Sequence, residues 1–388
     1  MPDLRRPAIV FGLLHAGLAL TRGLGRRGVP VHGLALRREF GLSSRYLVRR
    51  EHFDGAEGPA RDRRVLTAMR TVAEAAGQRI VLFPERDENV ALVLDHWDEV
   101  RAFADVPLPP DPDVTRSLRR KERLIQVADA AGVPRPATVL AADEAAIRAA
   151  GLRPPFLLKP VEGQDFALHF GHKAIVAQSA DEAVEAWRRA HEAGFETLVQ
   201  ELIPDSQERI FSLLTYISVD GEALGSFVGR KVRQGPLGFG TSAYFAAEHD
   251  DDVLYFGLRL LQHAGYRGFA HVEFAYDGRD DTYKLLEVNT RPPVWFGIAV
   301  TCDFDLATLA YDDLCGRPAP TPRVCMDDRC WAYLAKDVYV SAQMARRGEL
   351  RVGEVVGGYT RRKVRATFAF DDPLPALTSL PYLLARAT

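Results

Sequence analysis

Cysteine is scarce: four in 388 residues, at positions 302, 315, 325 and 330. None forms a C-x-x-C pair and no histidine pair has zinc-ligand spacing, which argues against a metal site built on thiolates. So few thiols in a long chain suit a reducing compartment, and a cytoplasmic protein is the expectation. No charge of one sign dominates either. Fifty basic residues stand against 52 acidic ones, a net charge of -2, and this balance implies no general affinity for nucleic acid or anionic lipid. Residues 1–53 hold ten Arg against Asp3, Glu39 and Glu51, but without an aromatic platform, and read as a solvated surface. No stretch is long and apolar enough to span a membrane. "MPDLRRPAIVFGLLHAGLAL" opens like a signal peptide, basic and then apolar, yet His15 and two Gly interrupt it and no small-residue cleavage site follows. A glycine fingerprint is missing too. "GLLHAGLALTRGLGRRG" lacks the G-x-G-x-x-G spacing, and no acid follows the second strand directly, which argues against a nicotinamide-dependent oxidoreductase.

What is there is an ordinary globular composition, 47% hydrophobic and 26% charged, long enough for two or three domains. Strands at 8–13, 29–36 and 79–84 alternate with helices at 15–27 and around "RRVLTAMRTVAEAAG", which predicts a parallel α/β sheet. "VPLPPDPD" packs four Pro into eight residues near 106–113 and ends this first domain, 1–110. A helix is expected from Ser117 to the stop at Gly132. Lys121 falls inside its apolar stripe of Leu118, Leu124, Ile125, Ala128 and Ala131. That lysine either snorkels to solvent or points at an anion in a cleft. "PPFLLKPVEG" reads as a strand ended by Lys159, a cation that is costly there unless paired. A loop at 162–172, a strand "KAIVA" and a helix with a Ser179–Glu182 capping box come next. "TLVQELI" and a hairpin turning at Asp220-Gly221 follow. These elements predict a second domain over 111–318. Beyond the linker "GRPAPTPR", residues 319–388 are expected to form a small α/β extension.

The most informative stretch is "HVEFAYDGRDDTYKLLEVNTRP". Alternation puts Val272, Phe274 and Tyr276 on one face and His271, Glu273 and Ala275 on the other; in the second strand Leu286 and Val288 share one face, Glu287 and Asn289 the other. A hairpin centred on Asp280 sets Glu273 opposite Glu287. Two facing carboxylates repel and persist only with a shared proton, a basic partner or a divalent cation. Mg²⁺ fits best, because it takes oxygen ligands from one or two carboxylates plus phosphate, and Asn289 adds a neutral oxygen. Arg291, two residues on, can grip a phosphate or carboxylate through two parallel hydrogen bonds.

In order and spacing these segments resemble the ATP-grasp superfamily, in particular carboxylate–amine ligases of amino acids or peptides, including D-aspartate-ligase-like members. The resemblance covers most of 1–318. It implies a pre-ATP-grasp N-terminal α/β domain, a two-lobed α+β ATP-grasp domain with lobes of about 111–196 and 197–318, ATP, and Mg²⁺ or Mn²⁺ on Glu273, Glu287 and Asn289. "FLLKP" resembles the strand with the nucleotide-binding lysine, Lys159, and the preceding helix supplies Lys121. "VQELIPDSQE" resembles the inter-lobe hinge, so Gln200, Glu201 and Leu202 would meet adenine. Glu208, seven residues after Glu201, would meet the ribose. "GRKVRQGPLGFG" resembles the basic segment near the phosphates, where Lys231 is assigned beside Arg230 and Arg233. The implied reaction joins a small-molecule carboxylate to an amine through an acyl phosphate steadied by Arg291. A non-catalytic nucleotide-binding regulator is the alternative, and the oligomeric state is open. The loop 162–172 departs from the pattern, with only Gly163 and Gly171 among bulky residues. His169, His172 and His271 receive no role, and Trp295 and Phe296 are expected to pack.

Overall fold

Four fully buried residues, Ala8–Phe11, form β1, the middle strand of a five-stranded parallel sheet. The computed structural model describes residues 5–55, 57–161, 164–172, 174–204, 209–237, 240–302 and 304–384. After β1 the chain builds α1 (His15–Arg26), β2 (Val31–Ala35), β3 (Leu47–His52), α2 (Gly58–Ala76), β4 (Ile80–Pro84), α3 (Asp87–Asp95), α4 (Trp97–Phe103) and the short β5 (Ala104–Asp105). The sheet order is β3-β2-β1-β4-β5. Helix α2 ends on Gly77 at φ +60°, a left-handed cap that a side chain would strain. The edge strand β3 escapes the pattern reading because its LVRREH sequence has no apolar alternation.

The single helix expected from Ser117 is two: α5 (Pro112–Arg119) and α6 (Lys121–Ala131), broken at Arg120, which is extended at φ -90°, ψ 122°. No Gly or Pro marks the break. Tertiary contacts hold it, with Arg119 bound to Asp87 on one side and Lys121 bound to the Pro160 carbonyl on the other. Next comes an antiparallel four-stranded sheet with the order β6-β9-β7-β8. It is built from β6 (Thr138–Leu140), α7 (Glu144–Ala149), β7 (Phe156–Pro160), α8 (Gln164–Phe170), β8 (Ile175–Ala177), α9 (Ala180–Glu192) and β9 (Thr197–Glu201). Half of the expected capping box forms: Ser179 Oγ accepts from the Glu182 amide, while the Glu182 carboxylate accepts from the Gln178 amide instead of that of Ser179. The segment read as a loop, 162–172, instead carries α8. Its bulk has a packing reason: Phe166 is fully buried, 4.6 Å from Phe170 and 5.2 Å from Phe195 between ring centres. Glu162, Gly163 and Lys173 lie outside the described residues.

The third sheet is the largest. It contains β10 (Ile210–Ile217), β11 (Ala223–Gly235), β12 (Thr241–Ala247), β13 (Gly268–Asp277) and β14 (Thr282–Asn289), with α10 (Asp251–His263) between β12 and β13. Helix α11 (Leu306–Leu314) follows. Strands from the C-terminal segment then join the same sheet: β15 (Arg323–Cys325) pairs with β11, β16 (Cys330–Ala332) with β12, and β17 (Lys363–Arg365) with β16. Helix α12 (Leu334–Arg346) follows β16.

Two cores flank the large sheet. One face packs on α5, α6 and α10 through Leu118, Leu124, Ala128, Leu260, Val272 and Phe274. The other shares a core with the N-terminal sheet, where Val10, Leu20 and Phe83 meet Phe227, Phe269 and Trp295. That shared core docks the C-terminal ends of β1 and β4 against the polar face of β13 and β14. The four-stranded sheet keeps a core of its own, with Leu158, Phe166, Val184 and Trp187. No helix among the described residues is long and apolar enough to cross a membrane.

Candidate active site

Strands β13 and β14 pair antiparallel with Glu273 directly opposite Glu287 and His271 opposite Asn289. Val272 and Phe274 lie in the core, so both carboxylates share the opposite face. One detail differs from the pattern reading. A bulge follows the Glu273–Glu287 pair, so Phe274 pairs with Leu285 and Leu286 becomes the extra residue. Leu285 and Val288 therefore fill the core, while Leu286 is only half-buried. A period-two reading cannot see an inserted residue.

Of the three ways to relieve facing carboxylates, a basic partner is present. Glu273 is buried, with Lys231 Nζ 3.1 Å from one oxygen and 3.2 Å from the other. His271 Nε2 lies 3.3 Å from Glu273, and burial pushes this imidazole down to about 3, leaving it neutral. Glu287 is exposed, and Asn289 Nδ2 donates to it at 3.0 Å. The donor set suits a hard divalent cation: two carboxylates and an amide oxygen on adjacent strands. No three His, Cys, Asp or Glu side chains converge among the described residues, so phosphate and water oxygens would have to complete an octahedral shell. Trp295 packs, stacked on Phe245 with centroids 3.9 Å apart.

Two lysines face this hairpin from other elements. Lys121 opens α6 and donates to the Pro160 carbonyl at the end of β7. Lys159, on β7, donates to Gln200 Oε1 on β9 at 2.9 Å. Burial lowers both ammonium pKa values, Lys159 to about 8, and the Glu287 carboxylate opposes that shift in both. The helix break at Arg120 turns Lys121 out of the apolar stripe and towards the cleft.

Arg291 donates to Asp87 Oδ2 at 2.6 Å, and Arg119 approaches Asp87 Oδ1 at 3.3 Å. Asp87 is the first residue of α3, so the N-terminal domain holds the arginine that follows β14. Burial pushes the Asp87 carboxyl up, but Arg291 and Arg119 outweigh it and hold the group below its ordinary value.

At the hinge, Gln200 faces Lys159, and its amide donates to Thr138 Oγ1 at 3.0 Å. Glu201 projects from the other face of β9. Its buried carboxylate accepts from the Arg153 amide at 2.9 Å and from Arg279 at 3.5 Å. Arg153 reaches on to Asp280 at 3.0 Å, tying the hinge to the tip of the acidic hairpin. The Leu202 amide donates to the Pro155 carbonyl at 2.8 Å. Glu208 lies outside the described residues.

The arrangement can now be set beside known proteins. No family model matches the chain. A D-aspartate ligase of Enterococcus faecium is 24% identical over 217 residues, 53% of this chain and 51% of that protein. The chain thus spans about half the length of the curated relative it matches. An N5-carboxyaminoimidazole synthetase of Staphylococcus aureus, solved with ADP, superposes at a TM-score of 0.66 with 12% identity, covering 88% of this chain and 86% of that one. An L-amino acid ligase of Bacillus licheniformis gives 0.59 with 14% identity, covering 80% and 74%. The chain has an ATP-grasp fold. Lys159 stands on the four-stranded sheet with Lys121 bonded to its end, and Lys231, Glu273, Glu287 and Asn289 stand on the large sheet.

Sequence reasoning missed two residues that join Arg291 in one charge cluster, Asp87 and Arg119. Asp87 had a weak local signal, as an acid in the first turn after a buried strand. Arg119 had none, because its meaning depends on the break at Arg120.

Proposed function

We propose that the protein is an ATP-dependent ligase that joins a small-molecule carboxylate, an amino acid or a relative of one, to an amine, with release of ADP and phosphate. The observation that carries this reading is the register of Glu273 against Glu287, with Lys121 and Lys159 electrostatically coupled to Glu287 from separate elements. Facing carboxylates ringed by lysines suit a metal–triphosphate better than any neutral ligand.

A carboxylate is a poor acyl donor because oxide is a poor leaving group. Phosphorylation by the γ-phosphoryl of ATP makes an acyl phosphate, from which an amine expels phosphate. Such transfer needs alignment and charge cancellation more than covalent help. Mg²⁺, or Mn²⁺ in its place, supplies charge neutralisation when held by Glu273, Glu287 and Asn289. Lys159 and Lys121 neutralise phosphate charge from the first lobe, and Lys231 does so beside Glu273. Gln200 and the backbone of Glu201 and Leu202 border the adenine, with Glu208 assigned to the ribose. Arg291, anchored by Asp87, offers its remaining N–H groups to the acyl phosphate as charge develops.

The test is an ADP-release assay over amino acids, singly and in pairs, with mass detection of condensed products. Metal-dependent ADP release is expected in the wild type and not in Glu287→Gln, with unchanged circular dichroism. Mg-ADP binding without ADP release under any pairing would instead support the regulator reading. Full activity of Glu287→Gln would remove the metal assignment.

A further inference from the structure

Large apolar side chains are unevenly exposed along the chain. Of those exposed among the described residues, nine lie within 324–380 and six in all the rest. Apolar groups gathered at one place on a surface mark a contact site. The end of this segment is also built inside out. In the short helix Leu374–Thr378 and the turn after it, Pro375 and Ser379 are buried, while Leu374, Leu377 and Leu380 are exposed. Phe370, just before the helix, is 86% exposed and Leu377 is 64% exposed.

Polar bonds explain why the leucines are left outside. Asp372 is buried and accepts from Arg22 Nε at 3.0 Å, Ser44 Oγ at 2.8 Å and the Arg45 amide at 2.9 Å. Asp371 accepts from Arg26 at 2.7 Å and from the Tyr46 hydroxyl at 2.6 Å. Thr378 Oγ1 donates to the Phe40 carbonyl at 3.1 Å. These bonds fix the polar side of the segment on α1 and the turn at Phe40–Ser43, and they engage both acids. Upstream, "RRKVR" at 361–365 holds four cations and no acid, on and beside the edge strand β17. Arg361, Arg362, Lys363 and Arg365 are all exposed, and no carboxylate pairs with any of them among the described residues. Arg365 joins the two features, its guanidinium lying 5.8 Å from the centre of the Phe370 ring.

We propose that this face, with Phe370, Leu374, Leu377 and Leu380 beside the cations of 361–365, docks the protein on a bilayer that contains anionic phospholipid. The apolar side chains enter the boundary between headgroups and acyl chains, and the cations stay at the lipid phosphates. Charge complementarity selects this occupant. A second copy of the chain fits worse, because a two-fold contact brings the face against itself and sets four cations against four. Nucleic acid fits worse too, because exposed leucines offer no platform on which bases stack. The whole chain, at a net charge of -2, has no general attraction to lipid, so the basic run decides which face meets the membrane. The proposal is independent of the ligase reading, since none of these residues belongs to the candidate active site.

The experiment is co-sedimentation of the whole protein with two kinds of vesicle, phosphatidylcholine alone and phosphatidylcholine with an equal part of phosphatidylglycerol. The wild type is expected to bind the mixed vesicles at low salt, to bind phosphatidylcholine alone about tenfold or more weakly, and to be released at about 0.5 M salt. Phe370→Ser with Leu377→Ser is expected to lose about tenfold or more in affinity for the mixed vesicles. Arg361→Gln with Arg362→Gln is expected to lose about as much and to flatten the salt dependence. All four positions are exposed, so both variants should unfold at the wild-type temperature, which separates lost docking from lost fold. The proposal is overturned if the wild type stays in the supernatant with the mixed vesicles, if it binds both vesicles equally, or if either folded variant binds as the wild type does. Self-association of the wild type that Phe370→Ser with Leu377→Ser abolishes, without vesicle binding, would give the face to a second copy and overturn the proposal as well.

Discussion

Arg291 and Asp87 stand 204 positions apart in sequence and 2.6 Å apart in space. The arginine comes from the end of the acidic hairpin and the carboxylate from the first turn of α3 in the N-terminal domain. Asp87 also takes Arg119, so one carboxylate orients two guanidinium groups. Removing it leaves Arg291 charged and unanchored. Asp87→Ala is expected to lower kcat by about 10- to 100-fold, the scale of a small misplacement at a reacting centre. Mg-ADP affinity should stay within about threefold, since Asp87 orients Arg291 rather than touching nucleotide. Partial recovery in Asp87→Glu would distinguish orientation from general damage. An equal loss of nucleotide binding would contradict the assignment.

Lys159 should give nucleotide affinity a pH signature. Burial favours the neutral amine and brings its pKa to about 8. In the free protein the cation is therefore present below pH 8 and lost above it, and bound phosphate must hold the proton in place. Mg-ADP affinity is expected to fall as pH rises from 7 to 9. Lys159→Ala should bind about tenfold or more weakly at pH 7 and lose most of the pH slope. Calorimetry at three pH values reads both effects.

Glu39 bears on stability. Its carboxyl is raised from 4.5 to about 7, so the folded state holds a proton that the unfolded chain has released. Its contribution is fully present below pH 4.5 and is lost as pH climbs through 7. Glu39→Gln removes this dependence. Denaturant titration should find the variant more stable than the wild type at pH 8, by up to ~3 kcal/mol at 1.36 kcal/mol per unit, and nearly equal at pH 4.5. A variant less stable than the wild type at pH 8 would contradict this.

The C-terminal segment is held by a buried pair. Arg233 on β11 grips Asp337 on α12 at 2.6 and 2.8 Å, and Tyr359 adds a hydrogen bond to the same carboxylate at 2.5 Å. Asp337→Ala leaves an uncompensated buried guanidinium, two residues along β11 from Lys231. A loss of about 3–5 kcal/mol is expected, and a smaller one in Arg233→Met with Asp337→Leu. A chemical melt of the three proteins checks it.

Much of the candidate site is legible from order and spacing. Glu273, Glu287, Asn289 and Arg291 announce themselves because polar groups at every second position of an apolar strand violate the pattern of a plain core strand. Lys159 was visible for the same reason. Leu286 was not, because the bulge that displaces it leaves no mark in the residues. The break at Arg120 and helix α8 were hidden too. "SLRRKERL" is good helix sequence, and the bulk of Phe166 makes sense only once Phe170 and Phe195 are seen around it.

The amino-acid order by itself determined most of the elements, the inward face of the regular strands, and the opposition of two carboxylates across one hairpin, since these follow from periods of 2 and 3.6 acting over short separations. Only the tertiary structure decided that the ends of β1 and β4 come to rest beside that hairpin. That docking depends on a core shared by Val10, Phe83, Phe269 and Trp295, contacts between distant segments that no local pattern encodes. Through it Asp87 reaches Arg291.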